Sequence, residues 1–324
     1  MSGQGQFQPS MPTRLEKRRW LTWQRVALAI AILSVLTVFS VIAVSVYVGM
    51  QLVKPDPRPI QQTPQDFGLY YEDVSFHSQK DQVLLRGWWI PSQREGQVVG
   101  SGDTVIFAHG YKYNRTNDKI TALNLAKRLT NEGYNVLAFD FRRSGESEGE
   151  ITTIGYLEKY DLLAAVDYVR SQRQSARVAV IGWSMGAVTA ILAGAESPYI
   201  EAVVADSPFS DLRDYLSKNL PVWSNLPSFP FTPVILNVLP LMLGVDVDEV
   251  SPYQAVEKFG EKRLLLIHTK EDEAIPYTES QRIESAAPAE STELWLLDKG
   301  GHIEAYLNYK EEYEEKVLSF LKGE

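Results

Sequence analysis

The sequence predicts an α/β fold. The expectation is a mostly parallel eight-stranded sheet with helices on both faces and a small lid insertion, preceded by one N-terminal transmembrane helix. Three observations predict it. Short apolar runs alternate with segments of helical periodicity from about residue 67 onward. One such run, 178–181, leads directly into Gly182-Trp183-Ser184-Met185-Gly186 and then into a small-residue helical stretch, 187–193. Far upstream, residues 26–49 carry no charged side chain.

Residues 1–13, rich in Gly, Gln, Ser and Pro, read as disordered. The basic segment 1–25 holds Arg14, Lys17, Arg18, Arg19 and Arg25 against one acid, Glu16. The apolar run 26–49 is long enough to cross a hydrocarbon core of about 30 Å. Only Lys54 and Arg58 follow it closely, with Asp56 between them. This asymmetry places the N-terminus in the cytoplasm and the remainder outside, in a single-pass protein of the cell membrane. Trp20, Trp23 and Tyr47 fall at interfacial positions. A cleaved signal peptide is the alternative: Ala43 and Ser45 make a small-x-small site, although the run exceeds the usual 7–15 apolar residues. A buried core helix is third, since the run is apolar all round. Residues 50–66 form a proline-rich linker, and 54–66 read as a stiff spacer lifting the domain off the membrane.

The main domain, 67–324, starts with two strands, 70–76 and 83–90, expected as an antiparallel pair. Further strands are expected at 104–108, 135–139, 177–181, 202–205, 263–267 and 293–297, and helices at 118–132, 154–171 and 304–321. Between about 217 and 250 the rhythm breaks. Residues 219–244 hold five prolines and large apolar residues including Trp223, Phe229, Phe231, Ile235, Leu239 and Met242. Prolines argue against a second span, so a lid over the catalytic edge is expected, with a plain packing insertion as the alternative.

Composition excludes several classes. The chain has 324 residues, 44% of them hydrophobic, and no cysteine. Disulfides, thiolate metal sites and a cysteine nucleophile are therefore ruled out. The formal net charge is −9, and the part beyond the basic N-terminal segment is more acidic still. That balance argues against nucleic acid. The histidines lack ligand spacing, so no metal is expected, and no cofactor is expected either.

A serine on a sharp strand-to-helix turn adopts a strained backbone and needs small neighbours two residues away. Ser184 meets that pattern. A nucleophilic serine needs a base, and the base needs an acid to fix its tautomer. The four histidines are His77, His109, His268 and His302. His302 lies after the last strand, in a loop able to reach over the sheet edge, and is favoured. His77 precedes the sheet proper and His268 ends a strand, partly buried. For the acid, Asp272 lies in the loop after the penultimate strand, with Glu271 and Glu273 beside it. Asp206 is the rival, unless it caps the next helix.

From about residue 67 to its end the chain resembles an α/β-hydrolase of the serine-aminopeptidase and monoglyceride-lipase-like branch. It is similar in particular to bacterial single-pass, membrane-anchored members. His109-Gly110-Tyr111 resembles the oxyanion turn after a central strand, and Asp140–Ser147 the D-x-R-x-x-G-x-S loop. Residues 182–186 are the elbow and Gly301-His302 matches the base. Residues 268–276 resemble an H-G-x-x-D-x-x-V-P acid loop, which points to Asp272, although Thr269 and Ile275 depart from it. The resemblance implies oxyanion donors at the backbone N–H groups of Tyr111 and Met185. It implies structural roles for His109, Asp140 and Arg142. Tyr113, Asn114 and Arg115 read as surface residues near the pocket mouth. A His-Gly-Gly-Gly motif is missing, so a lipase-like substrate does not follow.

The expected activity is ester hydrolysis by Ser184, Asp272 and His302 through an acyl-enzyme. A peptidase on short peptides, or a non-catalytic envelope binding protein on this fold, are the alternatives. The expected ligands are small-molecule esters, acyl compounds or short peptides.

Overall fold

The computed structural model describes residues 14–94 and 96–324; the expectation for residues 1–13 lies outside them. Helix α1, Arg14–Val53, is one continuous helix running past the uncharged segment. Its part 22–53 has 32 residues and contains an 18-residue stretch with a mean hydropathy of 2.7. Residues 22–40 are exposed, whereas Ser45 and Gly49 near its end are buried.

The sheet has eight strands: β1 (Glu72–His77), β2 (Leu84–Ile90), β5 (Asp103–Ala108), β6 (Asn135–Phe139), β7 (Arg177–Trp183), β8 (Ile200–Asp206), β9 (Arg263–Thr269) and β10 (Thr292–Leu297). Their spatial order is β1-β2-β6-β5-β7-β8-β9-β10. β1 pairs antiparallel with β2, and β2 with β6; the other pairings are parallel. A separate ribbon pairs β3 (Gln93–Arg94) with β4 (Gln97–Val98). The central strands are buried along almost their whole length because helices cover both faces, hence their continuous apolar runs.

The helices are α2 (Ala122–Asn131), α3 (Glu158–Gln172), α4 (Met185–Glu196), α5 (Leu212–Ser224), α6 (Ser228–Leu243), α7 (Pro252–Ala255), α8 (Thr278–Ala286), α9 (Ala305–Asn308) and α10 (Lys310–Lys322). The expected final helix over 304–321 is thus two helices. Two apolar cores result. One, under α3 and α4, includes Phe139, Leu162, Val180 and Ile191; the other, under α2 and α10, includes Phe107, Leu125, Ile181 and Val317.

The insertion is helical: α5 and α6 stand as a pair, with Pro221, Pro233 and Pro240 inside them. α5 is capped by Asp211, whose side chain accepts from the Asp214 N–H, so Asp206 is not that cap.

Residues 54–66 do not act as a spacer. They lie against the domain, held where donors of the domain meet carbonyls left open after the helix end. Thr152 N donates to the Val53 carbonyl at 2.8 Å, Arg143 Nε to that of Pro55 at 3.1 Å, and Asn114 Nδ2 to that of Arg58 at 3.2 Å. Pro55 and Pro64 are buried.

Candidate active site

β7 ends at Trp183 and α4 begins at Met185, so Ser184 alone makes the turn, at φ 55 and ψ −118. The flanking glycines are required by contact. A Cβ on Gly182 would lie 2.3 Å from the Gly186 carbonyl oxygen, and one on Gly186 would lie 1.9 Å from that of Ala108. Gly186→Ala is therefore expected to cost about 3 kcal/mol or more, above ordinary overpacking, read as a lowered denaturation midpoint. A loss under about 1 kcal/mol would contradict the close approach.

The structure brings Ser184, His302 and Asp272 together. His302 Nε2 lies 2.8 Å from Ser184 Oγ, and its Nδ1 lies 2.7 Å from Asp272 Oδ2. The other Asp272 oxygen accepts from the Ala274 and Ile275 N–H groups, both at 2.9 Å. Burial alone would raise this carboxyl, but hydrogen bonds from His268 and His302 and from the backbone outweigh it, holding Asp272 well below the usual carboxylate range. An ionised Asp272 favours the imidazole tautomer with its proton on Nδ1 and leaves Nε2 free to accept from the serine.

His302 sits in a tied loop. Gly300, at φ 114, donates its N–H to Glu271 at 3.0 Å, Gly301 donates to Glu304 at 2.9 Å, and Lys119 Nζ bonds the His302 carbonyl at 2.7 Å. Glu271 thus anchors the loop, and Glu273 is exposed.

Asp206 stands apart from the imidazole. One of its oxygens accepts from Ser207 Oγ at 2.9 Å and the other from the Tyr313 hydroxyl at 3.2 Å. Burial pushes its carboxyl up to about 6, against the opposing hydrogen bond from Ser207 and the nearby His268. The folded chain therefore binds this proton more tightly than the unfolded chain does, and ionising Asp206 destabilises the fold as pH rises from about 4 to 6. Asp206→Asn removes that slope. Between pH 4 and pH 7 the stability difference is expected to move in favour of the variant by about 2 kcal/mol. A difference independent of pH would contradict it.

His268 is fully buried, with Nδ1 2.7 Å from Ser280 Oγ and Nε2 2.8 Å from the Ile275 carbonyl. It supports the loop carrying Asp272 from 3.4 Å. His77 lies exposed on β1. His109 is buried; its Nε2 accepts from the Phe141 N–H at 3.0 Å, which puts its proton on Nδ1, 2.8 Å from the Gly110 carbonyl. Burial holds this imidazole neutral down to about 4.

The backbone N–H groups of Tyr111 and Met185 have no acceptor among the described residues. Met185 follows Ser184 in the chain, and a Cβ on Gly110, just before Tyr111, would lie 3.5 Å from the Ser184 Cβ. Asp140 accepts from the Arg115 N–H at 2.6 Å and the Glu146 N–H at 2.9 Å, while Arg142 bonds both Asp161 and Asp81. These groups fix the loops beneath the site. Asn114 and Arg115 are not surface residues as expected. Arg115 is 3% exposed, with Nε 3.2 Å from Asp140. A polar run in a loop signals exposure in sequence, whereas here Asp140 and Glu146 pair with Arg115 and backbone carbonyls of 58–59 accept from Asn114.

No group of acidic residues and histidines among the described residues is arranged to hold a metal ion.

Residues 102–262 match the family described as serine aminopeptidase, S33. The esterase Pf2001 of Pyrococcus furiosus is 32% identical, over 83% of this chain and 98% of that one, with a TM-score of 0.68. The chain belongs to this family of α/β hydrolases. It is similar also to protein YqkD of Bacillus subtilis (strain 168), 33% identical over 68% of this chain and 71% of YqkD. The lysophosphatidylserine lipase ABHD12 of Macaca fascicularis is 26% identical over 70% of this hydrolase and 60% of the lipase.

Proposed function

We propose that the chain is a membrane-anchored serine hydrolase that cleaves carboxylic esters through an acyl-enzyme. The observation that carries this reading is the pair of contacts made by His302, 2.8 Å to Ser184 Oγ and 2.7 Å to Asp272. In the first half-reaction His302 Nε2 takes the serine proton as Oγ attacks the carbonyl carbon. The Tyr111 and Met185 N–H groups receive the oxyanion; one such donor contributes about 2.7–4 kcal/mol. His302 then gives its proton to the leaving alcohol, and water releases the acyl group by the same sequence of proton transfers. Asp272 stabilises the imidazolium throughout. The esterase and the lipase among its relatives support ester substrates.

A short-peptide peptidase is the second reading, favoured by the family description. An aminopeptidase needs a carboxylate for the substrate's α-ammonium. At this rim Glu271 is engaged by the Gly300 N–H, and Glu304 by the Gly301 N–H and Lys119. The esterase and the lipase among the relatives favour the ester. A non-catalytic binding protein would have no need of the aligned imidazole.

The proposed organisation is a cytoplasmic basic segment to 25, a span over 26–49, a linker over 50–66 and the hydrolase domain over 67–324. Retention of the span is supported by α1 itself, because Ala43 and Ser45 sit inside a continuous helix and Ser45 is buried. The full chain in detergent tests the activity. Turnover of acyl p-nitrophenyl esters should exceed that of aminoacyl p-nitroanilides by about 100-fold or more in kcat/KM, equivalent to about 2.7 kcal/mol in the barrier. The reverse ranking would establish the peptidase reading instead.

A further inference from the structure

The last turns of α1 pack against the lid and leave a groove between them, lined on one side by Gly49 and Leu52 and on the other by Leu216, Leu220, Ile235 and Leu239. Its empty space, counting the open mouth, is about 530 Å³, and Thr153 supplies its one polar side chain. That hydroxyl is already engaged by Glu158 and the Leu157 N–H. Nothing in the groove could satisfy a headgroup or a peptide; its chemistry suits an alkyl chain.

Depth fixes where the mouth opens. About 20 residues cross a hydrocarbon core of about 30 Å. Counted from Arg25, the last charge before the uncharged run, that distance ends near Ser45. The wall residues Gly49 and Leu52 follow within two turns, at the outer boundary of the bilayer. The lid that packs there carries no charge over 219–245, and Val222, Phe229, Leu241 and Met242 are exposed on it. A charge-free surface with large exposed apolar residues, beside a lipid-facing helix, matches the acyl-headgroup boundary rather than water.

The inner end of the groove approaches the chemistry. It is closed by Thr153 and Ile154, in a loop pinned by Glu158, which accepts from Thr152 Oγ1 at 2.8 Å and from the Gly155 N–H at 2.9 Å. Thr152 Oγ1 lies 3.9 Å from the Met185 sulfur, and Met185 follows Ser184. Neither Ser184 nor His302 lines the groove, and the contact of Thr152, next to its wall residue Thr153, with Met185 is the link from groove to serine. The anchor also reaches the oxyanion turn: the Tyr111 hydroxyl donates to the Leu52 carbonyl at 2.6 Å.

We propose that this groove, with the anchor helix as one wall, binds the acyl chain of a membrane lipid ester entering from the outer leaflet. The anchor is then part of the substrate site as well as a tether. This rests on the serine-hydrolase reading for the fate of the chain, but not for its binding.

The test uses the full chain in lipid nanodiscs. Leu52→Trp and Leu216→Trp fill the groove from opposite walls, and Val44→Phe adds bulk to a lipid-facing position of α1 as control. Each is assayed with palmitoyl and acetyl p-nitrophenyl esters. The palmitoyl-to-acetyl ratio of kcat/KM is expected to fall by about ten- to fiftyfold in both groove variants, the loss of two or three buried methylenes, and to stay unchanged in the control. In a second arm, palmitic acid bearing a diazirine at its chain end is photocrosslinked to the native chain. Crosslinks are expected on the α5 wall, 212–220, a helix face shielded from bulk lipid, and are expected to disappear in Leu52→Trp. An unchanged ratio in both groove variants, or crosslinks confined to the outer face of α1, would overturn the proposal. If neither ester is cleaved, the hydrolase reading has failed, and the crosslink positions alone decide the groove.

Discussion

Replacing Ser184 by alanine is expected to lower ester turnover by about five to six orders of magnitude while the fold persists. Among the described residues the one side-chain partner of Ser184 is His302 Nε2, and the elbow is held by backbone contacts, including the bond from the Ser184 N–H to the Asp206 carbonyl at 2.8 Å. Alanine keeps that backbone and the close approach of Gly182 and Gly186. Only the nucleophile is lost. Turnover of the variant with an acyl p-nitrophenyl ester, set beside an unchanged circular dichroism spectrum and thermal midpoint, checks this. Residual activity within tenfold of the native chain would move the nucleophile elsewhere.

Asp272→Asn is expected to lower kcat by about four orders of magnitude. The reason is a tautomer. The Asp272 Oδ1 atom accepts two backbone N–H bonds, from Ala274 and Ile275, and a carboxamide oxygen satisfies both. The amide NH2 is then left facing His302 Nδ1. Two donors cannot bond, so the imidazole accepts at Nδ1 and carries its proton on Nε2. An Nε2–H cannot take the proton of Ser184. Because Asp272 is held below the usual carboxylate range, it stays ionised throughout the neutral and mildly acidic region, and this loss should be the same across it. Glu273→Gln, at an exposed neighbour, is expected to stay within about twofold. An equal loss in both variants would show that field strength rather than tautomer matters.

The parts of the fold that could be read in the sequence were those where one physical rule dominates. Central strands such as β5 and β9 are buried on both faces and so are written as unbroken apolar runs. The elbow was legible because the approach of Gly186 to Ala108 admits only glycine. The spacing of Ser184, the 268–276 loop and His302 gave their order along the sheet edge, and the distances came only with the folded chain. Helices α5 and α6 were hidden by their prolines, although Phe229, at φ −101 and ψ 133, breaks the start of α6, so Pro233 falls within the first four residues of the regular helix, where N–H groups have no intrahelical acceptor. Helix α8 was missed because Ser280 and Ile283 are its buried residues and its apolar stripe is too thin to announce a period. The docked course of 54–66 depends on Thr152, Arg143 and Asn114, residues distant in sequence whose donors happen to meet its carbonyls. No local pattern encodes such a meeting.

The central claim is that His302 activates Ser184 as a nucleophile. Covalent labelling with a serine-directed fluorophosphonate tests it most directly, followed by mass-spectrometric mapping of the modified residue in the full chain. The account predicts one phosphonate per chain, on Ser184, with labelling slowed at least about a hundredfold in His302→Ala. A native chain that remains unlabelled, or a phosphonate found on another residue, would contradict it.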